Sequence, residues 1–127
     1  NYMIENLHNT PCFLIWDKQQ PHDVSFASCE LAWTSFDSSA KTFYKRPQGG
    51  DDKRIHPTQK PVRLYEWLLA NYAKEGDKIL DTHLGSGSSR IACHNLGFDF
   101  TGCELDKDYF EQADYRYQEH IKQLTLF

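Results

Sequence analysis

The stretch KILDTHLGSGSSRIACHNLGFDFTGCELD, residues 78–106, constrains the fold of this chain more than any other feature. Two short apolar runs, KILD and FDFTGCEL, flank a glycine–serine turn and a helical pattern in SSRIACHNLG. An earlier helix is predicted in KPVRLYEWLLANYAKEGD, with Pro61 in its first turn and Gly76 at its exit, and a later one from about residue 106 to residue 123. This order of helices and strands predicts an α/β fold with a parallel sheet.

The upstream third of the chain has a different pattern. An apolar run at residues 12–16 lies in PCFLIWDKQQP, between Pro11 and Pro21, and predicts a short buried strand. KTFYKR indicates an extended ribbon, and RPQGGDDK indicates a loop. We therefore expect a single domain over residues 1–127, with strand, ribbon and loop in residues 1–55 and the α/β portion in residues 56–127.

Composition and charge exclude some classes of protein. No apolar run approaches the length that crosses a bilayer, and no charged-then-apolar leader is visible. We therefore expect no membrane partner. The four cysteines form no CxxC pair, so we expect reduced thiols in a cytoplasmic protein. A zinc site of Cys93, His94 and Cys103 is the alternative to buried structural cysteines, but its spacing matches no closed tetrahedral pattern, and we expect no metal site. The net charge is −4, yet basic residues concentrate between positions 41 and 63 and acidic ones between 99 and 119. This asymmetry fits one surface that meets phosphates, or two ordinary solvated surfaces.

The glycine–serine turn and the acid that ends the second strand indicate a nucleoside ligand. A glycine turn between a strand and a helix lets a ligand approach the backbone. Glu104 follows Asp81 by 23 positions. This is close to the interval of roughly 20 residues at which an acid binds ribose hydroxyls in nucleotide-binding βαβ units. Arg90 replaces the last glycine of the dinucleotide motif, and Asp81 would repel a pyrophosphate. The pattern therefore favours S-adenosylmethionine, with a purely structural glycine turn as the alternative.

Two motifs in this order resemble a known family. HPTQKP at residues 56–61, followed by a helix and ILDTHLGSGSS, resembles the C-terminal half of DNA amino-methyltransferases of the β arrangement. GCELDKDYF is similar to a further segment of that family, and FLIWDK and ELAWTSF are similar to elements of its phage and prophage members. The resemblance covers essentially the whole chain. It implies a partial Rossmann-like methyltransferase fold whose S-adenosylmethionine-binding βαβ portion is residues 56–127.

The resemblance also implies roles for individual residues. Glu104 would hold the ribose of the cofactor, and Leu105 would lie beside the adenine. Thr58 and Lys60 would hold the carboxylate, whereas His56 is either part of this site or an ordinary loop residue. The surface for the methionine moiety would be formed by Asp81, Thr82, His83, Gly85, Ser86 and Gly87. Thr82 and His83 stand where the family usually has Pro-Phe, which predicts weaker or pH-dependent cofactor binding.

A departure from the family concerns catalysis. The chain has no run like DPPY, the family motif that grips the flipped-out base, so its catalytic residues are unknown. KILD would then present an unpaired sheet edge, and we expect the missing N-terminal half of a longer enzyme, or a second chain, to cover it. DNA is the expected substrate, with phosphate contacts from Lys41, Lys45, Arg46, Lys53 and Arg54.

Several functions remain open on this pattern. The first is methyl transfer to the exocyclic amine of adenine in DNA, with the choice between adenine and cytosine undecided. The second is a non-catalytic module that binds DNA or a partner chain. The third is a methyltransferase for RNA or a small molecule, which would have the same cofactor site and a different substrate.

Overall fold

A computed structural model describes residues 4–21, 23, 27–47 and 54–125, with the backbone alone at Ile4 and Leu124. The chain divides into two compact units, Asn1–Gln48 and Gly49–Phe127, and each has a sheet of its own. The single domain predicted for residues 1–127, with its internal boundary after residue 55, stays a prediction.

The first unit is built around one central strand. After a short 3-10 helix at Ile4–Asn6 come β1 (Phe13–Asp17), β2 (Cys29–Trp33) and β3 (Lys41–Tyr44). Strand β1 lies in the middle, antiparallel to β2 and parallel to β3. Its alternate residues Leu14 and Trp16 are buried, as expected for a strand with one covered face. The predicted strand is thus confirmed, beginning one residue later than expected.

The second unit contains the predicted α/β pattern. Its elements, in order, are α1 (Val62–Tyr72), β4 (Lys78–Asp81), α2 (Ser88–Leu96), β5 (Asp99–Gly102) and α3 (Lys107–Thr125). Strands β4 and β5 pair in parallel, with Asp81 opposite Gly102. A parallel pair needs a crossover, and α2 provides it. The parallel order places the carboxyl ends of both strands at the same edge of the sheet.

The ends of α1 differ from the sequence prediction. Pro61 is the residue before the helix, with extended backbone angles, rather than part of its first turn. The helix ends at Tyr72, because Ala73 turns to an extended conformation while its N–H still bonds to the carbonyl of Leu69. Gly76 lies in the tight turn that follows, where its φ of 86° favours glycine.

The core of the second unit lies between α1, α2 and the sheet. Leu69, Ala92 and Cys93 are buried together, and the partly buried side chains around them include Ile79 and Phe100 of the two strands. Burial, and next the nearby Asp81 carboxylate, raise the pKa of the Cys93 thiol to about 11. Cys93 is therefore a neutral packing residue at physiological pH.

The other face of the two-stranded sheet is open. Leu80 is 63 % exposed. Within the described part of the chain, β4 is hydrogen-bonded to β5 alone. The unpaired edge expected at KILD is thus present among these residues, and the side chain of Leu80 is exposed on the face of the sheet beside it. None of the described helices is long and apolar enough to span a membrane.

Candidate functional site

The turn at residues 82–87, here called the elbow, connects the carboxyl end of β4 to the start of α2. Gly85 and Gly87 have φ angles of 53° and 74°, in the left-handed region that side chains with a Cβ rarely adopt. A Cβ on Gly87 would also lie 3.3 Å from the Cβ of Ala113 in α3. The GSG sequence thus has a structural reason at both glycines, a left-handed backbone, with a close helix contact added at Gly87.

Asp81, the last residue of β4, faces the elbow. Its Oδ1 accepts the backbone N–H of His83 at 3.0 Å, and its Oδ2 accepts the hydroxyl of Ser89 at 2.5 Å. A carboxylate has about four acceptor positions, so these two bonds leave capacity for a ligand. Asp81 is half-buried and held in one orientation.

Glu104, two residues after β5, joins the elbow from the neighbouring strand. Its Oε2 accepts the N–H of Gly85 at 2.8 Å, and its Oε1 accepts the N–H of Asp106 at 3.0 Å. These backbone donors, Asp106 first and Gly85 second, hold the pKa of the Glu104 carboxyl below its ordinary value. Glu104 is therefore a charged acceptor at the same sheet edge as Asp81.

The outer rim of the site is exposed. Leu105 is fully exposed, although leucine is an apolar residue. Thr82 and His83 are exposed as well, and the Thr82 hydroxyl lies 2.9 Å from Nδ1 of His83. The charged Glu104 carboxylate could accept hydrogen bonds from hydroxyl groups of a ligand. The exposed Leu105 next to it could pack on a flat ring.

The HPTQKP segment, residues 56–61, lies against the elbow through His56. The His56 ring would be 3.9 Å from a Cβ on Gly85, and its centroid lies 4.3 Å from that of Tyr109. Thr58 contacts the same histidine, with its N–H 3.2 Å and its hydroxyl 3.0 Å from Nδ1. His56 thus packs next to the elbow and Tyr109, and its role in ligand binding stays a prediction. The carboxylate-binding roles of Thr58 and Lys60 stay predictions.

Other residues of the site were missed in the sequence. Ser89 orients Asp81, and Arg116 of α3 donates to the elbow. Ser89 lies within GSGSS, so its position at the start of a helix was a usable signal. Arg116 had no local signal, because its partner Ser86 is 30 residues away.

A family of known proteins matches most of this sequence. The sequence profile described as DNA methylase matches residues 5–114. The chain belongs to this DNA methylase family. The predicted resemblance to DNA methyltransferases is thereby confirmed.

Individual relatives match shorter parts of this methylase chain. It is 38 % identical over 65 residues to the type II methyltransferase M.HpaI of Haemophilus parainfluenzae. The matched segment covers 51 % of this chain and 21 % of that protein. It is 43 % identical over 58 residues to M2.DpnII of Streptococcus pneumoniae, 46 % of this chain and 22 % of that protein. The matched segments thus span about a fifth of these curated relatives.

Solved structures share the fold. The crystal structure of an M1.HpyAVI complex with S-adenosylmethionine has a TM-score of 0.66 at 28 % identity, over 82 % of this chain and 60 % of that one. TTHA0409 of Thermus thermophilus, solved with S-adenosyl-L-methionine, has a TM-score of 0.56 at 19 % identity, over 84 % of this chain and 52 % of that one. The predicted partial Rossmann-like methyltransferase fold is confirmed.

The basic residues predicted to contact DNA lie in different surroundings in this methylase chain. In the first unit, Lys41 and Arg46 are exposed and Lys45 is half-buried. In the second unit, the Arg54 guanidinium donates to the carbonyls of His56 and Pro57 and so supports the HPTQKP segment. Lys53 and residues 48–52 of the predicted loop RPQGGDDK lie outside the described residues. Their contacts with DNA stay predictions.

Proposed function

We propose that this chain is the cofactor-binding part of a DNA methyltransferase that transfers a methyl group from S-adenosylmethionine to the exocyclic amine of adenine. One observation carries the proposal. Asp81 and Glu104, at the carboxyl ends of two adjacent parallel strands, lie on either side of a glycine elbow. Ligands of open α/β sheets bind at this edge.

The residues present fit this cofactor better than a dinucleotide. Both side chains at the edge are carboxylates, which attract an ammonium and accept ribose hydroxyls but repel a diphosphate. Asp81 would hold the ammonium, Glu104 the ribose, and Leu105 would cover the adenine. Thr58 and Lys60 are the proposed partners of the cofactor carboxylate, and the elbow backbone from Thr82 and His83 through Gly85, Ser86 and Gly87 would line the methionine moiety.

When bound, S-adenosylmethionine would supply an electrophilic methyl group from its sulfonium. This chain would contribute to the methyl transfer by binding and orientation, which convert an encounter of two molecules into a reaction within one complex. The sequence contains no DPPY-like run, the family motif for the flipped-out base. We therefore assign the group that binds the target base to a segment outside these 127 residues, the missing N-terminal half or a second chain.

The proposed partners follow from the same observations. DNA is the proposed substrate, with Lys41, Lys45 and Arg46 as phosphate contacts. The open edge of β4 with its exposed Leu80 is the proposed contact for the catalytic portion of the enzyme. The short span of the matches to M.HpaI and M2.DpnII supports a larger complete enzyme.

Calorimetry with S-adenosylmethionine tests the cofactor site. The chain should bind saturably, and Glu104→Gln should lower the affinity about tenfold or more, because a charged acceptor of ribose hydroxyls is lost. Glu75→Gln is the matched control, since Glu75 is an exposed carboxylate in the turn after α1. A folded chain that does not bind the cofactor, or equal effects of both variants, would contradict the proposal.

The absence of a DPPY-like motif from the sequence favours one alternative, a non-catalytic binding module. Labelled S-adenosylmethionine and unmethylated DNA, followed by analysis of the nucleosides, separate the two functions. Detection of N6-methyladenine would support the proposed reaction. Detection of N4-methylcytosine instead would show that the target base is cytosine rather than adenine. DNA binding with no methylated product, even when the catalytic portion is supplied, supports the binding module.

A further inference from the structure

One face of α3 contacts the cofactor site from behind. Tyr109, Ala113 and Arg116 are four and three residues apart, so they lie on the same side of the helix. Tyr109 packs on the ring of His56, and Ala113 lies against Gly87. The same helix face therefore touches both the HPTQKP segment and the elbow.

Arg116 makes the polar contacts of this face. Its Nη1 donates to the carbonyl of Ser86 at 2.8 Å and to the hydroxyl of Ser88 at 2.9 Å. These two residues flank Gly87, whose φ is 74°. A guanidinium keeps its charge at all physiological pH values and presents its donors in a rigid plane. Arg116 thus restrains both neighbours of a glycine that is intrinsically free to move.

Ser88 extends this restraint to the HPTQKP segment. A hydroxyl donates one hydrogen bond and accepts two. The Ser88 proton goes to the carbonyl of Lys60 at 2.7 Å, because a carbonyl only accepts. Its two acceptor positions take Arg116 at 2.9 Å and the hydroxyl of Ser86 at 3.2 Å. Ser88 is 2 % exposed and all its bonding positions are used. Arg116 is therefore connected through one side chain to the backbone of Lys60.

We propose that Arg116 is a positioning residue for the cofactor, which holds the elbow and the Lys60 backbone in their binding arrangement before the ligand arrives. The inference rests on the proposed function of the site. Its physical basis is preorganisation: a glycine-rich turn that is already ordered loses less conformational entropy when it binds. Arg116 itself need not touch the cofactor.

The test compares Arg116→Met and Arg116→Lys with Arg90→Met in the 127-residue chain. Arg90 is the matched control, because it also joins α2 to α3, by a 2.7 Å bond to Asp114 and by packing on Tyr117. We expect Arg116→Met to lower the affinity for S-adenosylmethionine about tenfold, since two charge-assisted bonds are lost. Arg116→Lys should recover part of the loss, and Arg90→Met should change the affinity less than about twofold.

Amide hydrogen exchange without cofactor provides the second readout. In Arg116→Met the N–H groups of Gly85 and Gly87, which bond to Glu104 and to the Leu84 carbonyl, should exchange faster. The N–H of Phe98, bonded to Cys93 at the far end of α2, should not. It reports general opening of the unit rather than loosening of the elbow. If Arg116→Met does not fold, the same comparison is made with Arg116→Lys.

The outcomes separate this inference from the proposed function. Unchanged exchange at Gly85 and Gly87, or equal acceleration at Phe98, overturns the positioning role. Faster exchange with unchanged affinity shows that the restraint does not serve the cofactor, which also overturns it. A parent chain that does not bind S-adenosylmethionine refutes the cofactor site instead, and the exchange data then still decide whether Arg116 holds the elbow.

Discussion

The elbow has two sides that differ in their burial and in their hydrogen bonding. The inner side, Ser86 and Gly87 with Ser88 at the start of α2, is buried or packed against α3, and its hydroxyls are bonded within the protein. The outer side, Thr82 and His83 with Leu105 from the neighbouring loop, is exposed. The two sides belong to the same short stretch of sheet edge. The difference indicates that contacts within the protein on the inner side determine the shape of the elbow, whereas the exposed outer side is available for contact with a ligand.

Asp81→Asn should have the largest effect on the outer side. Asparagine is nearly isosteric and can still accept the N–H of His83, so the elbow should keep its shape while the charge is lost. We expect affinity for S-adenosylmethionine to fall about 10- to 100-fold, because a charge-assisted bond is worth about 1.5–3 kcal/mol. Isothermal calorimetry measures this change in affinity. Asp77→Asn, in the turn before β4, is the control, and an equal loss there would show that the effect is not local.

Gly87→Ala should have the next largest effect, on the inner side. A left-handed backbone costs alanine about 1–2 kcal/mol, and its Cβ would also press on Ala113. Gly97→Ala is a matched control, because Gly97 has a φ of 77° and open space around its would-be Cβ. Thermal or urea unfolding should show a larger loss of stability for Gly87→Ala, and this variant alone should weaken cofactor binding. Equal losses would mean that the contact with α3 contributes nothing.

Leu105→Ala should have a smaller effect, confined to binding. The side chain is fully exposed, so its removal should leave the free energy of unfolding unchanged. Loss of the proposed apolar contact with adenine should cost about 1 kcal/mol, roughly a fivefold fall in affinity. Calorimetry and thermal melts on the same sample measure both quantities. Leu31→Ala, at an exposed position in β2, is the control and should leave the affinity unchanged. An equal fall in affinity in both variants would contradict the role of Leu105.

The smallest expected effect is the acid response of Glu104. Backbone donors from Asp106 and Gly85 lower the pKa of its carboxyl, so the charged form is favoured in the folded chain. The stabilisation is present above the ordinary titration range of glutamate and is lost as pH falls through the lowered pKa. The melting-temperature difference between the parent and Glu104→Gln should therefore narrow in acid. A constant difference at every pH would contradict this account.

Much of the site was visible in the sequence because its elements are local. The positions of β4, α2, β5 and α3 follow from apolar patterns, and the elbow follows from its glycines. Glu104 was found through its distance from Asp81 along a βαβ unit. The end of α1 was misjudged, because the exit was placed at Gly76 whereas the backbone already extends at Ala73. Helix ends are decided by a few backbone angles that composition specifies poorly.

The sequence by itself determined the α/β order of the second unit, the glycine elbow and the acid that faces it, because strand and helix periods and glycine conformations are short-range properties. Tertiary structure alone decided that Arg116 donates to the Ser86 carbonyl, that His56 lies next to Gly85 and Tyr109, and that Ser88 bonds to Lys60. Many side chains in the chain could donate or accept such bonds. Only the folding of α3 and the HPTQKP segment onto the same sheet edge selects which of them meet.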